Sequence, residues 1–242
     1  MADQEPVHRA LLSVDVEGSG GRDSTASVIF REALFTALRK AFEASGVDWE
    51  ACTRQDTGDG MVVAAPEGCS KRRLVHPLLP ALADGLAHHN RYAGPATRVR
   101  VRVALHAGDL RVDSHGLTGK PKVLLARLLD AQPLREALAA APESTTVAVL
   151  VSEGFHDDVI TEGHPGIDPA TYVPVQVREK ETEVRAWLHL VGQAAVPPAA
   201  VQPAAARPTA SADRTPSGGV VITGSSQVSV DGDLFGGNKY SR

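Results

Sequence analysis

The 242-residue sequence predicts an α+β sandwich built on one mostly antiparallel sheet, and three observations predict it. Short apolar runs of strand length alternate with longer stretches of helical periodicity in the order β-α-β-β-α-β. Residues 99–105 alternate Val99, Val101, Val103 and Leu105 with Arg100 and Arg102, the period of a strand that buries one face. A last pair of apolar runs, 172–177 and 184–191, flanks the charged stretch 178–183 and reads as a closing hairpin.

The elements follow in order. A first strand spans 9–15, with Leu11, Leu12 and Val14 apolar, and stops at the glycine-rich stretch Glu17-Gly18-Ser19-Gly20-Gly21. Asp23, Ser24 or Thr25 caps a helix in which Ile29, Leu34, Leu38 and Phe42 recur at helical spacing until Gly46. Two apolar runs, 49–54 and 61–65, form a hairpin through Asp56-Thr57-Gly58-Asp59-Gly60. A helical stretch over 74–90, interrupted by Pro77 and Pro80, leads into the strand at 99–105. A helix over 121–131 carries Val123, Leu124, Leu128 and Leu129, and a strand over 146–152 precedes the closing hairpin. This is a ferredoxin-like βαββαβ sandwich with an additional C-terminal hairpin.

Composition divides the chain. From Gln193 to Pro216, 14 of 24 residues are Ala or Pro, and the five prolines remove backbone donors, so 193–217 reads as a linker between a body of residues 1–192 and a glycine-rich tail, 218–242. In the tail Val220, Ile222, Val228, Val230 and Leu234 alternate with polar residues, which predicts a hairpin too small to hold a core and suited to strand pairing with a protein partner. Of 25 basic and 29 acidic residues, all but four basic and three acidic ones precede residue 193, so the acidic excess belongs to the body. A net charge of -4 without a basic patch argues against nucleic acid as a partner. Two cysteines, a polar start and the lack of any long uncharged apolar stretch predict a cytoplasmic protein that crosses no membrane.

Two aspartates stand out by position, Asp15 at the end of the first strand and Asp59 in the hairpin turn. With their strands side by side, both carboxylates leave the same edge of the sheet, and paired oxygen ligands suit Mg²⁺ or Mn²⁺ held together with substrate phosphates. The loop of Gly18, Ser19 and Gly20, with Arg22 beside it, enters a helix N-terminus, where free N–H groups favour an anion such as a triphosphate.

Four segments, Leu-Leu-Ser-Val-Asp-Val-Glu-Gly (11–18), Thr-Gly-Asp-Gly-Met-Val-Val-Ala (57–64), Val-Arg-Val-Ala-Leu-His-Ala-Gly (101–108) and Gly-Lys-Pro-Lys-Val-Leu-Leu-Ala-Arg-Leu (119–128), give the region 8–191 a resemblance to the class III nucleotide cyclases, the adenylate and guanylate cyclase catalytic domains. The resemblance implies two metal ions held by Asp15, Asp59 and the backbone carbonyl of Val16, one activating the ribose 3′-hydroxyl and the other binding the triphosphate while a cyclic nucleotide forms and pyrophosphate leaves. It further implies that Arg127 stabilises the transferring phosphoryl group across the interface of a homodimer.

The sequence also departs from that pattern. The base-reading lysine and aspartate of adenine-specific members fall at Gln55 and Gly116, and the ribose-orienting asparagine falls at Val123, which cannot hydrogen-bond. Gln55 retains an amide to read a base, and Asp113, His115, Lys120 or Lys122 is available to substitute. Two readings follow: a Mg²⁺-dependent cyclase of nucleoside triphosphates with non-standard base selection, or a non-catalytic cyclase-homology module that binds nucleotide or a protein partner in bacterial signalling or defence. His106 is expected to be a packing histidine, His88 and His89 a surface helix end, Lys71, Arg72 and Arg73 a solvated loop, and Cys52 and Cys69 inert thiols.

Overall fold

The computed structural model describes residues 5–113, 116–194 and 196, so the tail and nearly all of the linker lie outside the described residues. Eight strands form one sheet: β1 (Val7–Val16), β2 (Thr53–Asp56), β3 (Gly60–Ala64), β4 (Val101–Asp113), β5 (Gly116–Thr118), β6 (Val147–Ser152), β7 (Val173–Glu179) and β8 (Thr182–Leu190). Their order is β2-β3-β1-β4-β6-β8-β7, with β5 paired to the far end of β4. Every pairing is antiparallel except β4 with β6. The α+β sandwich with a mostly antiparallel sheet is therefore the observed architecture.

The pleat sends alternate residues of β1 into two cores. Ala10, Leu12, Val14 and Val16 meet α1 (Ser24–Ala44), α2 (Arg72–Val75), α3 (Leu78–Asn90) and α6 (Glu153–Val159) through Phe30, Leu34, Leu74, Leu82 and Phe155. Leu11 lies in the second core with Val62, Ala104 and Leu150, covered by α4 (Lys120–Leu129) and α5 (Gln132–Ala140) through Leu125, Leu128, Leu134 and Leu138. Val196 is buried in that second core, so packed chain extends just past the 1–192 body.

Several elements differ from the sequence reading, each for a physical reason. The run 49–54 is strand only from Thr53, because the Asp48 carboxylate accepts from the N–H groups of Glu50 and Ala51 and turns the chain, while Trp49 packs on Phe42 with ring centroids 5.1 Å apart. Since β3 and not β2 lies beside β1, the hairpin meets β1 through its second strand. β4 runs on to Asp113, since Val7 to Leu11 and then β5 supply ladder partners beyond the end of the valine alternation. The helix over 121–131 ends at Leu129, and a separate α5 follows, with Pro133 in its first turn where no donor is needed. Pro77 likewise divides 74–90 into α2 and α3, while Pro80 is accommodated in the first turn of α3.

Asp23, rather than Ser24 or Thr25, caps α1, its Oδ1 accepting from the Ala26 N–H at 2.8 Å. At the end of α3 the Asn90 side chain imitates a strand neighbour: its Nδ2 donates to the Val99 carbonyl and its Oδ1 accepts from the Val99 N–H, both at 2.8 Å. Asn90→Ala leaves both backbone groups without that partner and is expected to lower the unfolding free energy by about 1–3 kcal/mol. A lowered urea midpoint with an unchanged slope is the expected result, and an unchanged midpoint would show that water replaces the amide.

Candidate functional site

Asp15 and Asp59 come together at the join of β1 and β3. Asp15 sits opposite Gly60 in the ladder, and the Val16 N–H donates to the Asp59 carbonyl at 3.2 Å. This approach requires glycine at 60, because a Cβ there would lie 1.9 Å from the Val14 carbonyl oxygen. The Ser19 hydroxyl donates to Asp59 Oδ2 at 2.5 Å, which folds the glycine-rich loop over the second carboxylate. Gly18 enables that turn with φ of 66°, and residues 19–21 form a single 3₁₀ turn.

The arginines near this edge are engaged. Asp15 forms a two-pronged ion pair with Arg102 of β4, Nε to Oδ1 at 2.8 Å and Nη2 to Oδ2 at 2.7 Å, with side chains only 12% and 17% exposed. Arg22 donates to the carbonyls of Arg98 at 2.7 Å and Glu17 at 3.0 Å and lies over the Phe30 ring. It clamps the loop rather than standing open to an anion, and Asp23 takes up two of the α1 N–H groups, that of Ala26 through its carboxylate and that of Ser27 through its carbonyl. Arg100 donates to the carbonyls of Thr145, Leu138 and Ala141 and faces Glu17 at 3.4 Å, tying the end of α5 to β4. Sequence reading missed Arg102 as a site residue, although its place in the 98–102 alternation put it on the face away from the valines, the face that Asp15 shares.

Burial pushes the Asp15 carboxyl up to about 6, opposed by the Arg102 hydrogen bond and charge and reinforced by Asp59 and Asp130. A carboxyl raised above its unfolded value holds its proton longer in the folded state. Its stabilising contribution is present in acid and is lost as pH climbs from about 4 to about 6.

A second group assembles around α4. Lys122 Nζ donates to Gln55 Oε1 at 2.8 Å, and Gly116, with φ of 111°, packs against the same oxygen, where a Cβ would lie 3.3 Å away. Gln55 faces the second core, opposite Val62 in the β2–β3 ladder. Val123 projects into solvent at 49% exposure. Arg127 pairs with Glu181 in the β7–β8 turn at 3.1 Å, and its Nε is buried without a partner. The structure thus brings Asp15, Asp59 and Ser19 into one cluster and Gln55, Gly116 and Lys122 into another, with Arg127 one turn further along α4. The side chain of Asp113 and residue His115 lie outside the described residues.

The remaining candidates are structural. His106 bonds through Nδ1 to Ser152 Oγ at 2.8 Å, and burial pushes it down to about 4, so it is neutral near pH 7. His89 Nε2 bonds the Thr97 carbonyl at 2.9 Å, while His88 meets the Tyr92 ring edge-on. The basic run expected as solvated loop is tied down, Lys71 to Asp158 and Arg73 to the Gly46 carbonyl, each at 2.5 Å. Burial raises Cys52 to about 12, which keeps it a thiol.

Arg102→Ala removes the hydrogen bond and charge that hold the Asp15 carboxyl down, and the expected outcome is an Asp15 midpoint above 6 in a carbon-detected carboxyl NMR titration of the folded protein. A midpoint at or below the wild-type value would show that Arg102 does not govern this carboxyl.

No family model matches the chain, and no curated protein matches it in sequence. Solved structures do match. An adenylate/guanylate cyclase/hydrolase from Silicibacter pomeroyi superposes with a TM-score of 0.52 at 18% identity, over 77% of this chain and 98% of that one. The guanylyl cyclase Cya2 gives 0.53 at 14% identity, over 76% and 93%. The catalytic core of a rhodopsin-guanylyl cyclase with converted specificity, solved with ATPαS, gives 0.52 at 13% identity, over 77% and 97%. At these identities the likeness establishes fold alone, and it spans nearly the whole of each matched domain. The described chain has the fold of the class III adenylate/guanylate cyclase catalytic domains.

Proposed function

We propose that the protein is a divergent nucleotide cyclase that converts a nucleoside triphosphate to a cyclic nucleotide and pyrophosphate in a Mg²⁺- or Mn²⁺-dependent reaction. The observation that carries this reading is the pair of carboxylates, Asp15 and Asp59, on adjacent backbone at one sheet edge, in a fold shared with cyclase domains. The donor set fits a hard divalent cation that takes much of its coordination from substrate. Among the described residues no group of three or more His, Cys, Asp or Glu side chains is placed to hold a metal, so two carboxylates and a backbone carbonyl such as that of Val16 need phosphate oxygens and water to complete a shell. When bound, the metal ion would polarise phosphate oxygens and lower the pKa of the attacking hydroxyl.

The protein's own groups carry the rest of the proposal. Asp15 would hold the cation with one or both of its oxygens, and Arg102, now paired with them, would supply a fixed positive charge at the same edge. Ser19, with Gly18 and Gly20, folds over the triphosphate from the loop side while keeping Asp59 oriented. In this reading Gln55, Lys122 and Arg127 serve the carboxylate pair of a second protomer, and a two-fold homodimer would complete each site with residues from both protomers. Val123, an exposed aliphatic residue on α4, suits burial in such an interface.

Purified protein incubated with each ribonucleoside triphosphate and Mg²⁺ or Mn²⁺ is expected to yield a cyclic monophosphate by mass analysis, and Asp59→Ala to yield none. Arg127→Ala is expected to slow turnover by about 10²- to 10³-fold. Absence of product from any of the four, in protein shown to be dimeric, would sink the enzyme reading in favour of a nucleotide-binding signalling module.

Mixing the inactive Asp59→Ala and the impaired Arg127→Ala variants tests the shared site. Random reassociation of Asp59→Ala with Arg127→Ala protomers places one intact site in half of the dimers, so activity should recover to roughly a quarter of wild type. No recovery, with subunit exchange shown by mass, would place both residues in a site within one protomer.

A further inference from the structure

Among the described residues the large apolar side chains left exposed are Val28, Ile29, Tyr92 and Val123, and the first three gather at one groove. That groove, of about 700 Å³, runs between α1 and α3, which cover the face of the sheet opposite α4. Small residues line it, Ala33, Thr36, Ala37 and Gly85, and the helices cross closely there, since a Cβ on Gly85 would lie 3.3 Å from that of Ala37. Tyr92 is 81% exposed, its ring met edge-on by His88 with centroids 5.7 Å apart. A tyrosine, a valine and an isoleucine standing in water beside a shallow trough mark a surface suited to being covered.

The charges along the groove identify what covers it. Glu32 and Lys40 line it and form no ion pair among the described residues, whereas Arg31, Arg39 and Glu43 of the same helix are all paired. A rim of one sign would suit a polyanion or an anionic lipid surface, but one charge of each sign calls for a partner carrying the opposite pair at the same spacing. α1 itself carries that pair. Glu32 and Lys40 stand four residues to either side of Thr36, about 6 Å along the helix axis and about 40° around it. Two copies of α1 laid antiparallel about a two-fold axis at Thr36 therefore set each Glu32 level with the partner's Lys40, and the small side chains of Ala33 and Thr36 let the helices approach. A parallel pairing would set Glu32 on Glu32 and Lys40 on Lys40, which like-charge repulsion rejects.

We propose that the α1–α3 face docks a second copy of this chain, with the two α1 helices antiparallel, apolar contact supplied by Val28, Ile29 and Tyr92, and register set by reciprocal Glu32–Lys40 ion pairs. α1 is 21 residues long, which spans about 32 Å, and two packed helices are about 20 Å wide. That footprint is on the order of the ~800 Å² per partner found in stable interfaces. The inference goes beyond the cyclase reading and stands apart from it, because the homodimer proposed above is joined through α4 on the other face of the sheet. Both two-fold contacts in one molecule would assemble four or more chains.

The test is sedimentation velocity of the full chain over a range of concentrations. Wild type is expected to form a dimer or a larger even-numbered assembly. Glu32→Lys and Lys40→Glu, which touch neither the carboxylate cluster nor α4, should each weaken the association by roughly 10- to 100-fold, since symmetry repeats the like-charge contact at both ends. Circular dichroism confirms that each variant is folded. Mixing the two variants in equal amounts should restore the association, because the mixed pair sets two lysines of one chain against two glutamates of the other. The double variant, Glu32→Lys with Lys40→Glu, should restore it alone. A loss that comes from folding or solubility does not recover on mixing. An assembly unchanged in both single variants, or one that weakens without recovery on mixing, overturns this interface and leaves an α4 homodimer standing. A wild type that stays monomeric overturns both.

Discussion

The candidate site depends on one close approach of two backbones. At Gly60 the first residue of β3 lies so near β1 that any side chain would occupy the space of the Val14 carbonyl, since even a Cβ would stand 1.9 Å away. That closeness sets Asp15 opposite Gly60 and lets the Val16 N–H reach the Asp59 carbonyl, so a turn residue and a strand-end residue, 44 positions apart, share one edge. The requirement is steric, and relaxing it would separate the carboxylates before any electrostatic consideration arises.

Burying Asp15 beside the half-exposed Asp59 has an electrostatic cost that the fold meets with Arg102. Burial and Asp59 both push the Asp15 carboxyl toward its neutral form, while the two-pronged pairing with Arg102 pulls the other way, and burial wins. An ion pair of this kind does little to stabilise the fold, because desolvation of both partners offsets much of their attraction. What it does provide is a carboxylate and a guanidinium held in fixed alignment at the β1–β4 edge. Arg22 and Arg100, by contrast, spend their donors on backbone carbonyls and fix the loops around the cluster.

Much of this arrangement was legible in the sequence, because its signals are local. The glycine-rich stop after β1, the Gly-Asp-Gly turn and the valine alternation of β4 each follow from a few adjacent residues, and they placed Asp15 and Asp59 at the same edge. The missed features depend on partners distant in sequence. Arg102 read only as the polar face of a strand until β1 supplied Asp15 beside it. The extension of β4 to Asp113 lies beyond its own alternation and comes from the pairing with the start of β1 and with β5. Lys122 was one of four residues offered as substitutes for a missing base-reading group, and its hydrogen bond to Gln55, 67 residues away, could not be read from either segment alone.

The geometry of α4 explains how one helix serves two directions. Successive residues turn by about 100°, so Val123 and Arg127, four apart, share a face, whereas Lys122 lies about 100° around the helix from Val123. Lys122 accordingly reaches β2, while the Val123 face turns outward and Arg127 leans onto the β7–β8 turn. Glu181 is 67% exposed in that turn, and an ion pair with one partner largely in solvent is weak and screened by salt. Arg127 itself is only 17% exposed with its Nε buried, so packing on α4 holds its stem while the outer edge of its guanidinium meets a partner that solvent screens.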